Sequence, residues 1–290
     1  MIGALMLDVL VGEPPALVHP VVWMGKVLDV LEAHAPGGER SRLVFGLASA
    51  TLVPLVWAGL AQLLERRIPW PLQAILLKSV FAGRALLAAA SRVERGLVGF
   101  RLEEARLELR SLVSRPTQEL DNILISSAAI ESLAENFVDS WVAPLAAYCL
   151  FGMGGAYAYR AANTADAMWG YHTPGYEWLG KGSARADDLL NWLPARVGAL
   201  LLGIAGSRPA AAYELWWSDS GVTDSPNAGQ PMSVAAGHLG VRLEKPGCYV
   251  LNREGNAPSA ADIAAARRLV ARVMVLAACL SILLNRVVRR

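Results

Sequence analysis

The chain has 290 residues, of which 54% are hydrophobic and only 18% charged, and its formal net charge is +2. A soluble domain carries roughly 25% charged residues, so the deficit points to lipid contact over much of the surface. The near-neutral balance, with no basic patch interleaved with aromatics, excludes a nucleic-acid partner; the mean hydropathy is +0.36.

In chain order, residues 1–11 are apolar but interrupted by Asp8. They lack the basic start and small-residue cleavage site of a signal peptide, and are expected to form a short first membrane segment, as in a chain clipped relative to a fuller form. Residues 43–64 carry no charge and are long enough to cross ~30 Å of hydrocarbon. Residues 72–90 form a second apolar run whose Lys78 and Arg84 must snorkel or face protein. In residues 91–114, Val98, Leu102, Ala105, Leu109 and Leu112 recur at helical spacing, which predicts one amphipathic helix over the cytosolic face. Residues 140–159 are uncharged but hold Pro144 and Gly152-Met153-Gly154-Gly155. A broken or re-entrant segment is expected there, since such backbone is tolerated where it lines a protein cavity. Residues 218–260, rich in Gly, Pro, Asn and Ser, read as structured loops. The last apolar span is 269–288. Basic residues cluster between these runs, as the positive-inside rule expects of an inner membrane protein. Cys149, Cys248 and Cys279 show neither disulfide nor metal spacing. The fold expected is all-α: one polytopic, membrane-embedded domain over residues 1–290, with an amphipathic cytosolic helix and polar loops forming one site.

Several polar groups stand out against this background. Glu131, Glu135 and Asp139 are spaced i, i+4, i+8 between apolar flanks, beside Asn136. They fall on roughly one helix face, where like charges need a compensating cation; ionisable groups at membrane depth are functional candidates. Asn163 and Asp166 are i, i+3, a pairing that suits an oxygen-ligated Mg²⁺ holding phosphate; the plain alternative is a helix N-cap. Lys181, Arg185, Asp187, Asp188 and Asn191 set cations beside paired carboxylates, as where metal and phosphate meet. Residues 175–183 imitate a P-loop, but Gly182 stands where Ser or Thr is required and no strand precedes it. Ser225 and Asn227 lie in a Pro/Gly segment that lets backbone approach a ligand. Glu13 and His19 lie in another Pro-stiffened loop, where His19 alone would signify little.

The ordered set resembles one family. Asp8…Gly12-Glu13-Pro14, His19-Pro20-Val21, Ile130-Glu131-Ser132-Leu133-Ala134-Glu135-Asn136…Asp139, Tyr159-Arg160…Asn163-Thr164…Asp166, Ala184-Arg185…Asp187-Asp188…Asn191 and Ser225-Pro226-Asn227-Ala228-Gly229 resemble the CbiB/CobD family of cobalamin biosynthesis, the adenosylcobinamide-phosphate synthases. Two places depart from its pattern: the N-terminal segment is short, and Glu244-Lys245-Pro246-Gly247 replaces a glycine-rich turn before Tyr249.

The resemblance implies an amide-forming ligase of the inner membrane, facing the cytoplasm. It would join adenosylcobyric acid to (R)-1-aminopropan-2-ol phosphate with ATP and Mg²⁺, beside other membrane enzymes of late cobalamin assembly. Under that reading Glu131, Glu135, Asp139, Lys181 and Arg185 are catalytic candidates. Glu13, His19, Arg115, Arg160, Asn136, Asn163, Ser225 and Asn227 are candidates for substrate binding, and Asp166, Asp187, Asp188 and Asn191 for metal. Spacing alone assigns neither the base nor the metal ligands. Two other classes stay open: a Mg²⁺-dependent membrane prenyltransferase-like enzyme, which would need stronger Asp-rich motifs, and a non-catalytic corrinoid-binding scaffold.

Overall fold

The structure, a computed structural model, describes residues 1–171 and 173–288. Apart from one two-stranded sheet, the regular structure of the described residues is helical. Five helical segments are long and apolar enough to cross a membrane: Glu39–Glu65, Trp70–Val98, Asn122–Trp169, Lys181–Ala205 and Ala260–Val287. The chain is a multi-pass helical membrane protein, and it forms two compact units.

The first unit comprises residues 1–82, 143–191 and the end of the chain from Leu280. Its α1 (Ile2–Leu10) has nine residues, about 14 Å at ~1.5 Å per residue. That is too short to cross the hydrocarbon alone, so the expected first membrane segment is instead a short helix packed on α4 (Trp70–Lys78). Helix α2 (Pro20–Ala33) starts at a proline, where the missing N–H costs nothing, and His19 caps it by accepting the Val21 N–H through Nδ1 at 3.2 Å. Helix α3 (Glu39–Glu65) covers the uncharged run read from sequence, and Leu52, Leu55, Val56 and Leu63 on it are exposed, as lipid-facing residues should be. It packs along α8 (Ala143–Trp169); a Cβ on Gly154 would stand 3.1 Å from the Ala58 carbonyl oxygen. The expected break in this region is at Gly152, which adopts φ 75° inside α8, a conformation open to glycine.

The apolar run 72–90 is not one helix. Helix α4 ends at Lys78, and α5 (Gly83–Val98) begins five residues later. Such an interruption survives only if protein groups satisfy the backbone. Here the Leu76 carbonyl accepts from Tyr157 Oη at 3.0 Å and Ser79 Oγ at 2.7 Å, and the Phe81 carbonyl accepts from Lys78 Nζ at 3.1 Å.

The second unit comprises residues 83–142 and 192–279. The single amphipathic helix expected over 91–114 is two helices. Helix α5 turns at Gly99-Phe100, with Phe100 at φ 55°, into α6 (Leu102–Leu109). The two approach so closely that a Cβ on Gly96 would lie 2.9 Å from the Ala105 nitrogen. Asp121 caps α7 (Asn122–Phe137) by accepting the Leu124 N–H at 2.8 Å. A π-helical turn, Val138–Val142, follows. Helix α9 (Lys181–Ala205) belongs to the first unit through Asn191 and to the second beyond it. A Cβ on its Gly198 would fall 2.9 Å from Val138. Helix α12 (Ala260–Val288) begins before the apolar span read from sequence and accepts the Trp141 Nε1–H at the Met274 carbonyl, 2.9 Å away.

Residues 218–260, expected as loops, contain α11 (Gly229–Leu239), buried along Gly229–His238, and a hairpin of β1 (Leu243–Lys245) and β2 (Tyr249–Leu251). Glycine and proline read as punctuation in sequence. Here small residues let α11 lie against α10 (Pro209–Asp219): a Cβ on Gly237 would sit 2.6 Å from the Ala212 α-carbon. Tertiary packing overrides propensity.

Candidate active site

Two polar groups of the first unit hold candidate residues read from sequence. In one, Asp187 on α9 is the hub. Its Oδ1 accepts from Asn163 Nδ2 at 3.1 Å and its Oδ2 from Asn191 Nδ2 at 2.9 Å. The amide oxygens are engaged in turn: Asn163 Oδ1 accepts from Arg160 Nη1 at 3.2 Å, and Asn191 Oδ1 from Tyr159 Oη at 2.9 Å. The spacing read from sequence paired Asn163 with Asp166 on its own helix, whereas the contact that forms runs between helices, from Asn163 to Asp187, with Tyr159 as a further member. Asp188, next in the chain, meets Arg185 Nη1 at 3.7 Å. The Asp166 carboxylate lies against the α-carbon of Gly170, where a Cβ would come within 2.1 Å of Oδ1. Lys181 turns elsewhere, 4.9 Å above the Trp178 ring and 3.8 Å from Glu177.

The second group joins α1, the loop before α2 and the end of α4. Lys78 Nζ lies 3.0 Å from Asp8 Oδ1 and donates to Glu13 Oε1 at 2.7 Å. Glu13 Oε2 is 2.9 Å from His19 Nε2. Because His19 Nδ1 accepts the Val21 N–H, Nε2 carries the proton and donates to Glu13. Burial would raise the Glu13 carboxyl, but hydrogen bonds from His19 and Lys78 and their charges outweigh it and hold it below the usual carboxylate range.

In the second unit Glu131 is buried on α7. Its Oε2 accepts from Arg115 Nη2 at 3.2 Å and Tyr249 Oη at 3.1 Å, and its Oε1 from Ser127 Oγ at 2.7 Å. Ser127 Oγ also accepts the Glu244 N–H at 2.6 Å, so one hydroxyl docks the hairpin on α7 and the hairpin delivers Tyr249. The segment carrying Arg115 is pinned by Thr117 Oγ1 donating to the Arg106 carbonyl at 2.9 Å. Burial, then the charges of Glu131 and Glu135 and the bond to Glu131, push the Tyr249 phenol well above its usual range, with Arg115 opposing.

Glu135 and Asn136 are half-buried one turn on, and Asn136 Nδ2 donates to Ser132 Oγ at 2.7 Å. Asp139 sits in the π turn, whose extra residue rotates it from the strict i+8 position of an α-helix. In the same unit Asn227 Oδ1 accepts from Arg196 Nη1 at 3.3 Å, and Ser225 Oγ accepts the Asn227 N–H at 3.2 Å, an ST-turn leading into α11.

The sequence missed Lys78, Ser127 and Tyr249 as members of these groups. Lys78 had one signal, a charge inside an apolar run. Tyr249 had none, since its partner lies 118 residues away.

The sequence profile described as CobD/Cbib protein matches residues 1–276. This chain belongs to the CobD/Cbib family. It is 42% identical over 260 residues to the "Cobalamin biosynthesis protein CobD" of Dehalococcoides mccartyi (strain CBDB1), covering 86% of this chain and 84% of the relative. The "Probable cobalamin biosynthesis protein CobD" of Methanothrix thermoacetophila is 39% identical over 302 residues, covering 98% and 95%. That of Thermococcus kodakarensis is 42% identical over 274 residues, covering 92% and 88%. No solved structure matches this chain.

Among the described residues of this CobD/Cbib family member, no group of three or more His, Cys, Asp or Glu side chains is gathered for a metal ion. The oxygen donors near Asp187 nonetheless fit Mg²⁺, which is commonly held by one or two carboxylates plus substrate phosphates rather than a closed protein cage. The hydrogen-bond partners of Asp187 are two neutral amides, so the carboxylate is oriented without being neutralised by them.

Proposed function

We propose that this chain is an adenosylcobinamide-phosphate synthase of cobalamin biosynthesis. It would be an ATP-dependent ligase joining the free carboxylate of adenosylcobyric acid to the amine of (R)-1-aminopropan-2-ol phosphate or a related aminoalcohol. The match of the family profile over residues 1–276 carries the reading; the buried carboxylates with their cation and amide partners supply the group types the chemistry needs.

A carboxylate is a poor acyl donor. Transfer of the ATP γ-phosphoryl group to a carboxylate oxygen, with ADP leaving, gives an acyl phosphate. Attack by the amine then forms the C–N bond and expels phosphate, and the ammonium proton must pass to a base. Mg²⁺, when bound, would offset phosphoryl charge; Asp166, Asp187 and Asp188 with Asn191 are the residues proposed to hold it. Lys181, Arg185 and Arg160 offer cations for phosphate oxygens. Glu131 has both oxygens engaged by Arg115, Tyr249 and Ser127, which suits an anchor. Glu135 and Asp139 are then the proposed proton acceptors. Glu13, His19, Arg115, Asn136, Asn163, Ser225 and Asn227 are assigned to substrate binding.

The test is turnover by the purified protein with adenosylcobyric acid, aminopropanol phosphate, ATP and Mg²⁺. Amide product with one ADP per bond is expected, and none when any component is omitted. Corrinoid binding without ATP consumption would mark a carrier instead. The polar groups of each unit are proposed to face the cytoplasm from the inner membrane, where ATP and the corrinoid reside. Single-cysteine replacements of Asn163 and Asn227 should therefore resist a membrane-impermeant thiol reagent in intact cells; fast labelling of both from outside would refute this.

A further inference from the structure

Lys78 is a buried charge that the reaction scheme above leaves unused. Its side chain is only 5% exposed and that of Asp8 only 1%, whereas His19 is 13% exposed and Glu13 30%. The four form a row in the order Asp8, Lys78, Glu13, His19, in which Glu13 is the most exposed. The ammonium donates to Glu13 Oε1 at 2.7 Å and to the Phe81 carbonyl at 3.1 Å, and it forms an ion pair with Asp8 Oδ1 at 3.0 Å, an atom that accepts no hydrogen bond. The bond to the Phe81 carbonyl exists only because α4 stops at Lys78 and the chain turns before α5. The break in the apolar run therefore aims the ammonium at the most open member of the row.

We propose that Lys78 is a positioning residue for the Glu13–His19 pair: anchored on Asp8 and the Phe81 carbonyl, it fixes one Glu13 oxygen so that the other stays on His19. This rests on the assignment of Glu13 and His19 to substrate binding above and names what holds them. The chain of constraint is complete. Val21 N–H fixes the His19 tautomer through Nδ1, Nε2–H takes Glu13 Oε2, and Lys78 takes Glu13 Oε1. Among the described residues the titratable groups facing Glu13 are Lys78 from α4 and His19 at the start of α2, with Asp8 of α1 behind Lys78. Lys78 lies against both carboxylates, with Nζ 2.7 Å from Glu13 Oε1 and 3.0 Å from Asp8 Oδ1. Its removal leaves Glu13 with the cost of burial and fewer compensating bonds, so the carboxyl should protonate at higher pH.

The test compares wild type with Lys78→Met and with Lys78→Met combined with Asp8→Asn, in the full-length protein. The single variant takes the ammonium away from Asp8 and reports mainly on folding. The double variant removes both buried charges at nearly constant volume. In the double variant, the pH below which kcat/KM falls should move up by about one unit or more, the scale of losing an adjacent opposite charge. Glu13→Gln should abolish that acidic limb. A role confined to stability would lower the melting temperature and leave the limb in place, and a folded double variant with a wild-type limb overturns the proposal. A second readout needs no turnover: the infrared band of the protonated Glu13 carboxyl, identified by its loss on Glu13→Gln, should persist to higher pH in the double variant. If wild type forms no amide, the ligase reading fails while the infrared arm still decides the role of Lys78; an unmoved band rejects it.

Discussion

Glu131 in the second unit is buried against a guanidinium and two hydroxyls, whereas Asp187 in the first unit accepts from two side-chain amides. Each carboxylate has both oxygens occupied, so neither is left unsatisfied in the sense that makes buried polar groups costly. They differ in charge. Arg115 supplies Glu131 with a full counter-charge at 3.2 Å, while the amides orient Asp187 and leave its negative charge to be met by something else. An internal ion pair makes a rigid, self-sufficient anchor. An amide-held carboxylate is preorganised and gains from a bound cation. On the proposed reading, the difference gives Glu131 on α7 the part of a structural anchor and Asp187 on α9 that of a cation-receptive group.

If Glu131 is the anchor, proton transfer falls to its neighbours, and Glu135 is the sharper test because its charge already bears on the Tyr249 phenol. Glu135→Gln should lower turnover by at least ~100-fold, the low end for losing a general acid–base group, with membrane insertion unchanged. Steady-state rates across pH would check this; a near-normal rate with an unchanged profile would remove Glu135 from the chemistry.

The contrast between the two carboxylates itself can be broken by a pair of variants. Arg115→Met leaves Glu131 buried without its cation and should cost about 3 kcal/mol, the scale for breaking a buried ion pair. Asp187→Asn places an amide among amide donors, and should cost about 1–3 kcal/mol, depending on whether the new side chain finds an acceptor. The discriminating readout is the melting temperature with and without Mg²⁺. A stabilisation by Mg²⁺ present in wild type and Arg115→Met but absent in Asp187→Asn would sharpen the distinction. Equal loss in both variants would erase it.

How much of this was legible in sequence follows physical range. The spans in α3 and α12 were readable because an apolar run of membrane length, uncharged in α3 and charged only at Arg272 and Arg286 near the ends of that in α12, has few other fates. The meeting of Asn163 with Asp187 was not readable, since helical spacing paired Asn163 with Asp166 on its own helix and the contact that forms crosses to another. The end of α4 at Lys78 was hidden, because residues 79–82 contain no proline or glycine and the stop is enforced by Tyr157 and Lys78 bonding carbonyls across space. Helix α11 was hidden by its own composition: the glycines that permit close packing against α10 are those that signal a turn in isolation. The turn before Tyr249 was legible as a departure from the family pattern, and it is a hairpin turn with Gly247 at φ 75°. What the hairpin is for was not, because Ser127 and Glu131 are more than a hundred residues away.

That hairpin gives the smallest expected effect. Tyr249 Oη donates to Glu131 Oε2 at 3.1 Å, but Glu131 keeps Ser127 and Arg115 when the phenol is removed. Tyr249→Phe should therefore cost only about 1–2 kcal/mol, the range for one hydrogen bond to a charged group with other partners in place, and should reduce turnover only modestly. The pH dependence gives the prediction its edge. The phenol is raised above its usual range by burial first and by the carboxylates second, so it remains protonated and donating in the folded protein where it would ionise in the unfolded chain. A group with a raised folded pKa contributes stability that is fully present below its unfolded pKa and is lost as pH climbs toward the folded one. The stability difference between wild type and Tyr249→Phe should thus be constant from pH 6 to about 9 and shrink above about 10, the ordinary tyrosine value. Melting in a stable detergent across that range checks it. A difference that instead vanishes toward acid would mean that ionisation of the phenol does not govern the contact, and the raised Tyr249 phenol would no longer account for the pH dependence.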